Sequence, residues 1–299
     1  TVLADSITAL IRHYPMRDET CSFSSSNALL NNIWDICKNA VRLGCQETYT
    51  DCPSREKGQY LGDATVTALS HLYLTGDLRL YKKHLEDFAC SARICPGLAA
   101  VAPCSHIQEI ADYSLLWPYQ LIIYYKHSAD KTFLKKMLPA AEGILQYFKS
   151  FEREDGLLEN VTGKWNLVDW PESMRDGYDH DLVAGKGCHN VINALYIGAV
   201  KIVDEIRAAL GLEPVMRFET LKEAFIRAFY RESIGLFADS TESDHCAIHS
   251  NIFPLLYEIA HPTARENIVR LIRSKRLACG VYIAFFLLKA LARAGEYEL

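Results

Sequence analysis

Apolar residues recur along most of this chain at steps of three and four, the period that puts one apolar stripe on a helix. Between Asn27 and Cys45, the positions Leu29, Leu30, Ile33, Ile36, Cys37, Ala40 and Val41 follow it. Ser24, Ser25 and Ser26 just ahead offer oxygens suited to an N-cap. The same pattern returns at 62–75, 78–93, 112–127, 131–151, 188–209, 215–231, 245–260, 264–274 and 279–294, which predicts about ten helices. Gly76-Asp77 and Ala129-Asp130 read as tight turns between neighbouring helices, and Gly97, Gly156 and Gly163 as turns within loops.

Helix, short turn, helix and long loop, repeated without strands, is the order of stacked helical hairpins. Two all-α architectures take that order, an open solenoid and a closed toroid of helix pairs. A solenoid carries a repeating sequence period, and none is found. Unequal loops at 94–111, 152–187 and 232–244 favour the toroid, where loops gathered at one rim can line a pocket. Residues 1–20 differ. Val2, Leu3, Ile7, Leu10 and Ile11, followed by His13-Tyr14-Pro15-Met16, hold no sustained helical face. They read as a lead-in, a linker or the end of a preceding β-domain, which leaves 21–299 as the helical domain.

Composition changes this picture little. The 299 residues are 49% hydrophobic and 23% charged, ordinary for a globular chain with a large core. A formal net charge of -5 gives no electrostatic reason to expect nucleic acid. No apolar run is long enough for a membrane-spanning helix, and Thr1 to Arg12 lacks the pattern of a signal peptide. The ten cysteines form no Cys-x-x-Cys pair and no zinc spacing with histidine, so mostly reduced thiols are expected. Asn160-Val161-Thr162 fits a glycosylation sequon by pattern alone. His245 and His249 lie four apart and would share a helical face, but the spacing offers no third ligand, so no metal is expected. The sequence shows no phosphate-binding glycine loop and no nucleophile elbow, and no cofactor is implied.

The densest polar cluster runs from Asp51 to Asp63, DCPSREKGQYLGD, between two strongly helical segments. It supplies three carboxylates, a guanidinium, an amide and a phenol. Glycoside hydrolysis needs one carboxylic acid to protonate the leaving oxygen and a second carboxylate to activate water or attack the sugar. If 56–63 is helical, Glu56, Tyr60 and Asp63 share one face, and like charges brought together raise the pKa of at least one carboxyl. A bland alternative stays open on spacing alone: Asp51 as a helix cap, with Arg55 and Glu56 as a solvated pair. Asp112 starts a helix and suits an N-cap. Trp165 and Trp170 flank Asp169 in a loop, as packing plugs or as rings for a sugar face.

The string Asp-Cys-Pro-x-x-Glu-x-x-Gln-Tyr-x-Gly-Asp at 51–63, after Gln46-Glu47-Thr48-Tyr49, resembles the signature of the bacterial α-L-rhamnosidases, glycoside hydrolase family 78. The likeness extends to NALLNNIW at 27–34, Ala111-Asp112-Tyr113-Ser114, Val168-Asp169-Trp170, HCAIHSNIFP at 245–254 and YIAFFLLKALARAGEY at 282–297. It covers roughly residues 20–299. The resemblance implies an (α/α)6 toroid of six helical hairpins and an inverting glycosidase acting on a rhamnose-containing glycoside or polysaccharide. It implies Glu56 as general acid, with Asp51, Arg55 and Asp63 holding sugar hydroxyls. Asp112 would be a wall of the sugar pocket, and Trp170 a second contact. Many members carry Trp near position 60; this chain has Tyr60, whose ring can still stack on a sugar.

The family's general base is a Glu in a Trp-Glu-type segment, expected here beyond residue 299. Ten predicted helices, two short of six hairpins, carry the same expectation of an incomplete barrel. Two alternatives stand beside the rhamnosidase reading: a six-hairpin glycosidase for another sugar, and a catalytically silent carbohydrate-binding relative.

Overall fold

The computed structural model describes residues 8–17 and 21–298. Among them are eleven α-helices: α1 (Ala28–Gly44), α2 (Leu61–Thr75), α3 (Arg79–Ser91), α4 (Ala111–Ser128), α5 (Lys131–Lys149), α6 (His180–Val183), α7 (Asn190–Ala209), α8 (Phe218–Phe229), α9 (His249–Leu256), α10 (Pro262–Lys275) and α11 (Val281–Arg293). The ten predicted helices are all present, and the short α6 is additional.

The packing follows from how apolar each helix is. In α4, residues 111–118 are buried without interruption, and so are residues 190–200 of α7. A helix buried on every side belongs to the inside of a bundle. Accordingly α2, α4, α7, α9 and α11 pack on one another in that order, and α11 meets α2 again. Around this inner ring, α1 lies on α2, α3 on α2 and α4, α5 on α4 and α7, α8 on α7, and α10 on α9. Outer helices α3, α5 and α8 bury one stripe each, as their three- and four-residue spacing requires.

The helix ends are set locally. Gly76 closes α2 at φ 68°, a left-handed conformation that costs glycine nothing. Asp130 caps α5 by accepting the Phe133 N–H at 2.9 Å. At α1 the cap is Asn27, which accepts from the Leu29 N–H, and not the serine run. Ser25 is used differently: its hydroxyl oxygen accepts from the Asn27 N–H, and its own N–H donates to Asn31.

Other expectations shift. A small hairpin, β1 (Tyr230–Arg231) with β2 (Leu236–Phe237), stands where the third long loop was expected to be free of strands. α9 is shorter than 245–260 because residues before it are held elsewhere. Asp239 accepts from the Ala247 N–H at 2.8 Å and from the Ser250 hydroxyl at 2.6 Å, so His245 lies ahead of the helix that carries His249. All ten cysteines are free thiols.

α1 stands apart. Its apolar stripe is intact in sequence, yet Leu29, Leu30, Ile33 and Ile36 are exposed and Gly44 is its one buried residue. α11 likewise exposes Val281 and Leu288. Of the proposed lead-in, residues 1–7 and 18–20 lie outside the described residues. Within 8–17, Tyr14 anchors the strand-free segment: its N–H donates to Cys45 O and its hydroxyl to Asp77 Oδ2.

Candidate active site

The 51–63 segment is a folded loop entering α2, not one continuous helix. Asp51 closes it: the Asp51 N–H donates to Gly58 O, and Asp51 Oδ1 accepts from the Gly58 N–H, both at 2.9 Å. Gln59, fully buried, pins the loop to the barrel by donating to Ala102 O at 2.6 Å and Asp87 Oδ2 at 3.1 Å. Tyr60 then bridges to Val101, and the first helical residue is Leu61. The predicted shared helical face therefore does not exist as such.

A pocket of about 470 Å³ nevertheless collects Asp51, Arg55, Glu56, Tyr60 and Asp63 on one wall. Trp165, Leu167 and Trp170 from the loop after α5, Tyr113 from α4, and Val281 and Tyr282 from α11 complete it. Trp165 and Trp170 meet edge to face with centroids 5.8 Å apart, and Trp170 is 59% exposed, leaving a flat ring free to touch a ligand. Gly62 is required here: a Cβ would fall 2.1 Å from the Tyr113 ring. That close approach lets Tyr113 donate to Asp63 Oδ2 at 3.1 Å.

The carboxylates differ in environment. Glu56 accepts from the Cys52 thiol at 3.1 Å and from Arg55 at 2.5 Å. The thiol first, then the guanidinium, holds Glu56 below the usual range. Asp63 is shifted upward by burial, against the Tyr113 hydrogen bond, and the charges of Asp51 and Glu56 add to the rise. The raised carboxyl is thus Asp63, and not Glu56, with burial as the main cause.

Asp112 does not line the pocket. It is buried beneath the wall, where Oδ1 accepts from the Leu167 N–H at 2.9 Å. Burial pushes its carboxyl up to about 7 despite that bond. Nor is it the N-cap of α4, a position held by Ile110.

A second buried carboxylate escaped the sequence reading. Asp169 accepts from His249 Nε2 at 2.8 Å and from the Gly280 N–H at 2.7 Å through Oδ2, and from the Trp170 N–H at 2.7 Å through Oδ1. It ties the tryptophan loop to α9 and to the first turn of α11. Gly280 is demanded by this approach, since a Cβ there would lie 2.5 Å from Asp169 Oδ1. His245 pairs instead with Asp239, so the two histidines face different carboxylates. Tyr113 and Tyr282 were also missed; a phenol inside a helical apolar pattern looks like core until the fold aims it at an opening.

Asp51, Cys52 and Glu56 bring potential ligand atoms within 4.8 Å of one another, the one such group among the described residues. Arg55 already occupies Glu56, so a cation there would have to displace a guanidinium.

Comparison with known proteins supports the same architecture. Residues 18–299 match the bacterial alpha-L-rhamnosidase 6 hairpin glycosidase domain. An alpha-L-rhamnosidase of Formosa agariphila is 26% identical over 251 residues, covering 77% of this chain and 25% of that protein. Among solved structures, a family 78 rhamnosidase of a Bacillus species superposes with a TM-score of 0.84 at 23% identity, over 95% of this chain and 30% of that one. A Klebsiella oxytoca rhamnosidase with rhamnose bound gives 0.76 at 18% identity, over 92% of this chain and 53% of that one. The chain therefore spans a quarter to about half the length of these relatives. An inner ring of five apolar helices inside an outer layer, and a family match running from residue 18 to 299, lead to one assignment: this chain belongs to the bacterial α-L-rhamnosidase six-hairpin glycosidase family.

Proposed function

We propose that this domain supplies the general-acid side of an inverting α-L-rhamnosidase, releasing terminal α-L-rhamnose from glycosides or polysaccharides. One observation carries the reading: Asp51, Arg55, Glu56, Tyr60 and Asp63, from one stretch of chain, line a single pocket together with the distant Trp170. The relatives are rhamnosidases by name, and one of them holds rhamnose.

In this reading Glu56 protonates the glycosidic oxygen. Cys52 and Arg55 stabilise its ionised form. A sugar that draws Arg55 onto its hydroxyls and excludes water removes both solvation and countercharge, and so raises the Glu56 pKa toward that of a general acid. Asp51 and Asp63 accept from sugar hydroxyls, and Tyr60 and Trp170 pack on its faces. The water-activating base comes from chain beyond residue 299, about 6.5–9.5 Å from Glu56 as inversion requires.

The test is release of p-nitrophenol from the aryl α-L-rhamnoside by the full-length protein, with proton NMR of the first sugar formed. Turnover giving the β-anomer, with kcat lowered about 10²–10⁴-fold by Glu56→Gln, is expected. An α-anomer product overturns inversion. Turnover of another aryl glycoside alone moves the assignment to that sugar, and rhamnose binding without turnover makes the protein a silent binder.

A further inference from the structure

The pocket uses the N-terminal ends of α4 and α11. Toward the C-terminal ends of α4, α9 and α11, against the middle of α7, lies a separate cavity of about 250 Å³. Tyr113 and Ile123, ten residues apart on α4, put the two openings roughly 15 Å apart along that helix. The body of the second cavity is apolar, formed by Ile122, Ile202, Leu256 and Phe286. Its charged groups are mostly cations, and their partners can be followed one by one.

Lys126 Nζ pairs with Glu205 at 2.7 Å. Lys201 pairs with Glu258. Arg293 Nη1 donates to Leu256 O at 3.1 Å, next to the last turn of α9. Each of these is a lysine or arginine satisfied by a carboxylate or by a helix C-terminus, where cations belong. Lys289 is not. It sits one turn back from the end of α11, half-buried, with no carboxylate or carbonyl partner among the described residues. Its ammonium meets only the rings of Tyr119 and Phe285, each centroid 5.4 Å away. Burial, Arg293 and Lys126 all lower its pKa, as expected for a cation short of countercharge. Tyr119 lines the same cavity, and its hydroxyl is buried without a hydrogen-bond partner. Buried polar groups are normally paired, and here an orphan hydroxyl and an unpaired ammonium flank one apolar space.

We propose that this cavity is a binding site for a small organic anion, a carboxylate on a single aromatic or branched aliphatic body. The carboxylate sits on the Lys289 ammonium and the Tyr119 hydroxyl, and the hydrocarbon part packs on Ile122, Ile202 and Phe286. The volume is below the roughly 300–1,000 Å³ of pockets for drug-sized ligands, which limits the occupant to about one ring. The surplus of cations excludes a cationic ligand, and the apolar walls disfavour a fully hydrated inorganic anion. This inference does not depend on what the rhamnosidase pocket does.

The test is calorimetric titration of the full chain with benzoate, benzyl alcohol and inorganic phosphate. Benzoate should bind saturably, and the other two at least about tenfold more weakly, because each lacks either the charge or the ring. Lys289→Met should weaken benzoate by about tenfold or more, and Tyr119→Phe by a few-fold. Glu56→Gln and saturating L-rhamnose should leave benzoate binding unchanged. Absence of saturable benzoate binding to the folded wild-type chain overturns the proposal. So does equal affinity in Tyr119→Phe and a folded Lys289→Met, or displacement of benzoate by rhamnose.

Discussion

Two sets of carboxylates serve this domain in opposite ways. Asp51, Glu56 and Asp63 come from one short stretch of chain and line an open pocket, where Glu56 binds to movable partners, Arg55 and the Cys52 thiol. Asp112 and Asp169 come from separate elements, lie fully inside the protein, and accept mainly from backbone N–H groups. Glu56 is free to exchange partners with a ligand. The second set holds fixed the loop that carries Trp165, Leu167 and Trp170. An acidic group in a site is therefore not enough to assign chemistry: what matters is whether its partners can leave. A backbone amide in a packed turn cannot, while an exposed guanidinium can.

The sharpest way to break this comparison is to remove a member of each set and measure stability. Asp169→Ala strips the partners from His249, Gly280 and Trp170 in the interior, and urea unfolding should show a loss of about 3–5 kcal/mol. Glu56→Gln should leave the urea midpoint essentially unchanged, because its partners are exposed. Equal losses would mean that the pocket loop is as structural as the buried clamp.

A smaller effect concerns Asp112. Its folded pKa, about 7, lies well above the usual aspartate range because the group is buried. The native state then binds the extra proton between about pH 4 and 7, so stability falls as pH rises through that window. Asp112→Asn keeps an acceptor for the Leu167 N–H and removes the titration. Its Tm should fall less than the wild-type Tm between those pH values. An unchanged slope would assign the dependence to other groups.

A small stability effect is expected at Trp170. With 59% of its surface exposed, Trp170→Ala should change unfolding free energy by only about 0.5 kcal/mol. KM for an aryl rhamnoside should rise several-fold with kcat less affected, as for a ring that binds ground and transition states alike. A collapse of kcat with little change in KM would instead make Trp170 part of the transition-state machinery.

Much of the fold was legible because inner and outer helices alike carry apolar residues over helix-length stretches, bounded by turn residues. Every predicted helix was found, since a long apolar stripe leaves little choice of secondary structure. The start of α9 was not legible: Asp239 and Ser250, eleven residues apart, decide it through a bond that no local pattern reveals. In the site, the 51–63 cluster and Trp170 stood out through their resemblance to a family motif. Asp112 was visible as a residue, and its depth was not. Asp169 was noted as the neighbour of two tryptophans and within the family match, but its clamping role was not, because its partner Gly280 lies far along the chain.

By itself, then, the sequence determined an all-helical chain of paired helices and an acidic segment of glycosidase type. The first is a matter of residue type and spacing, and the second of likeness to a family motif. The tertiary structure decided which carboxylates reach the pocket and which are locked behind it. It also decided that Lys289 and Tyr119 share a cavity without partners. Burial and partnership are set by residues distant in sequence, and only the folded chain brings them within reach.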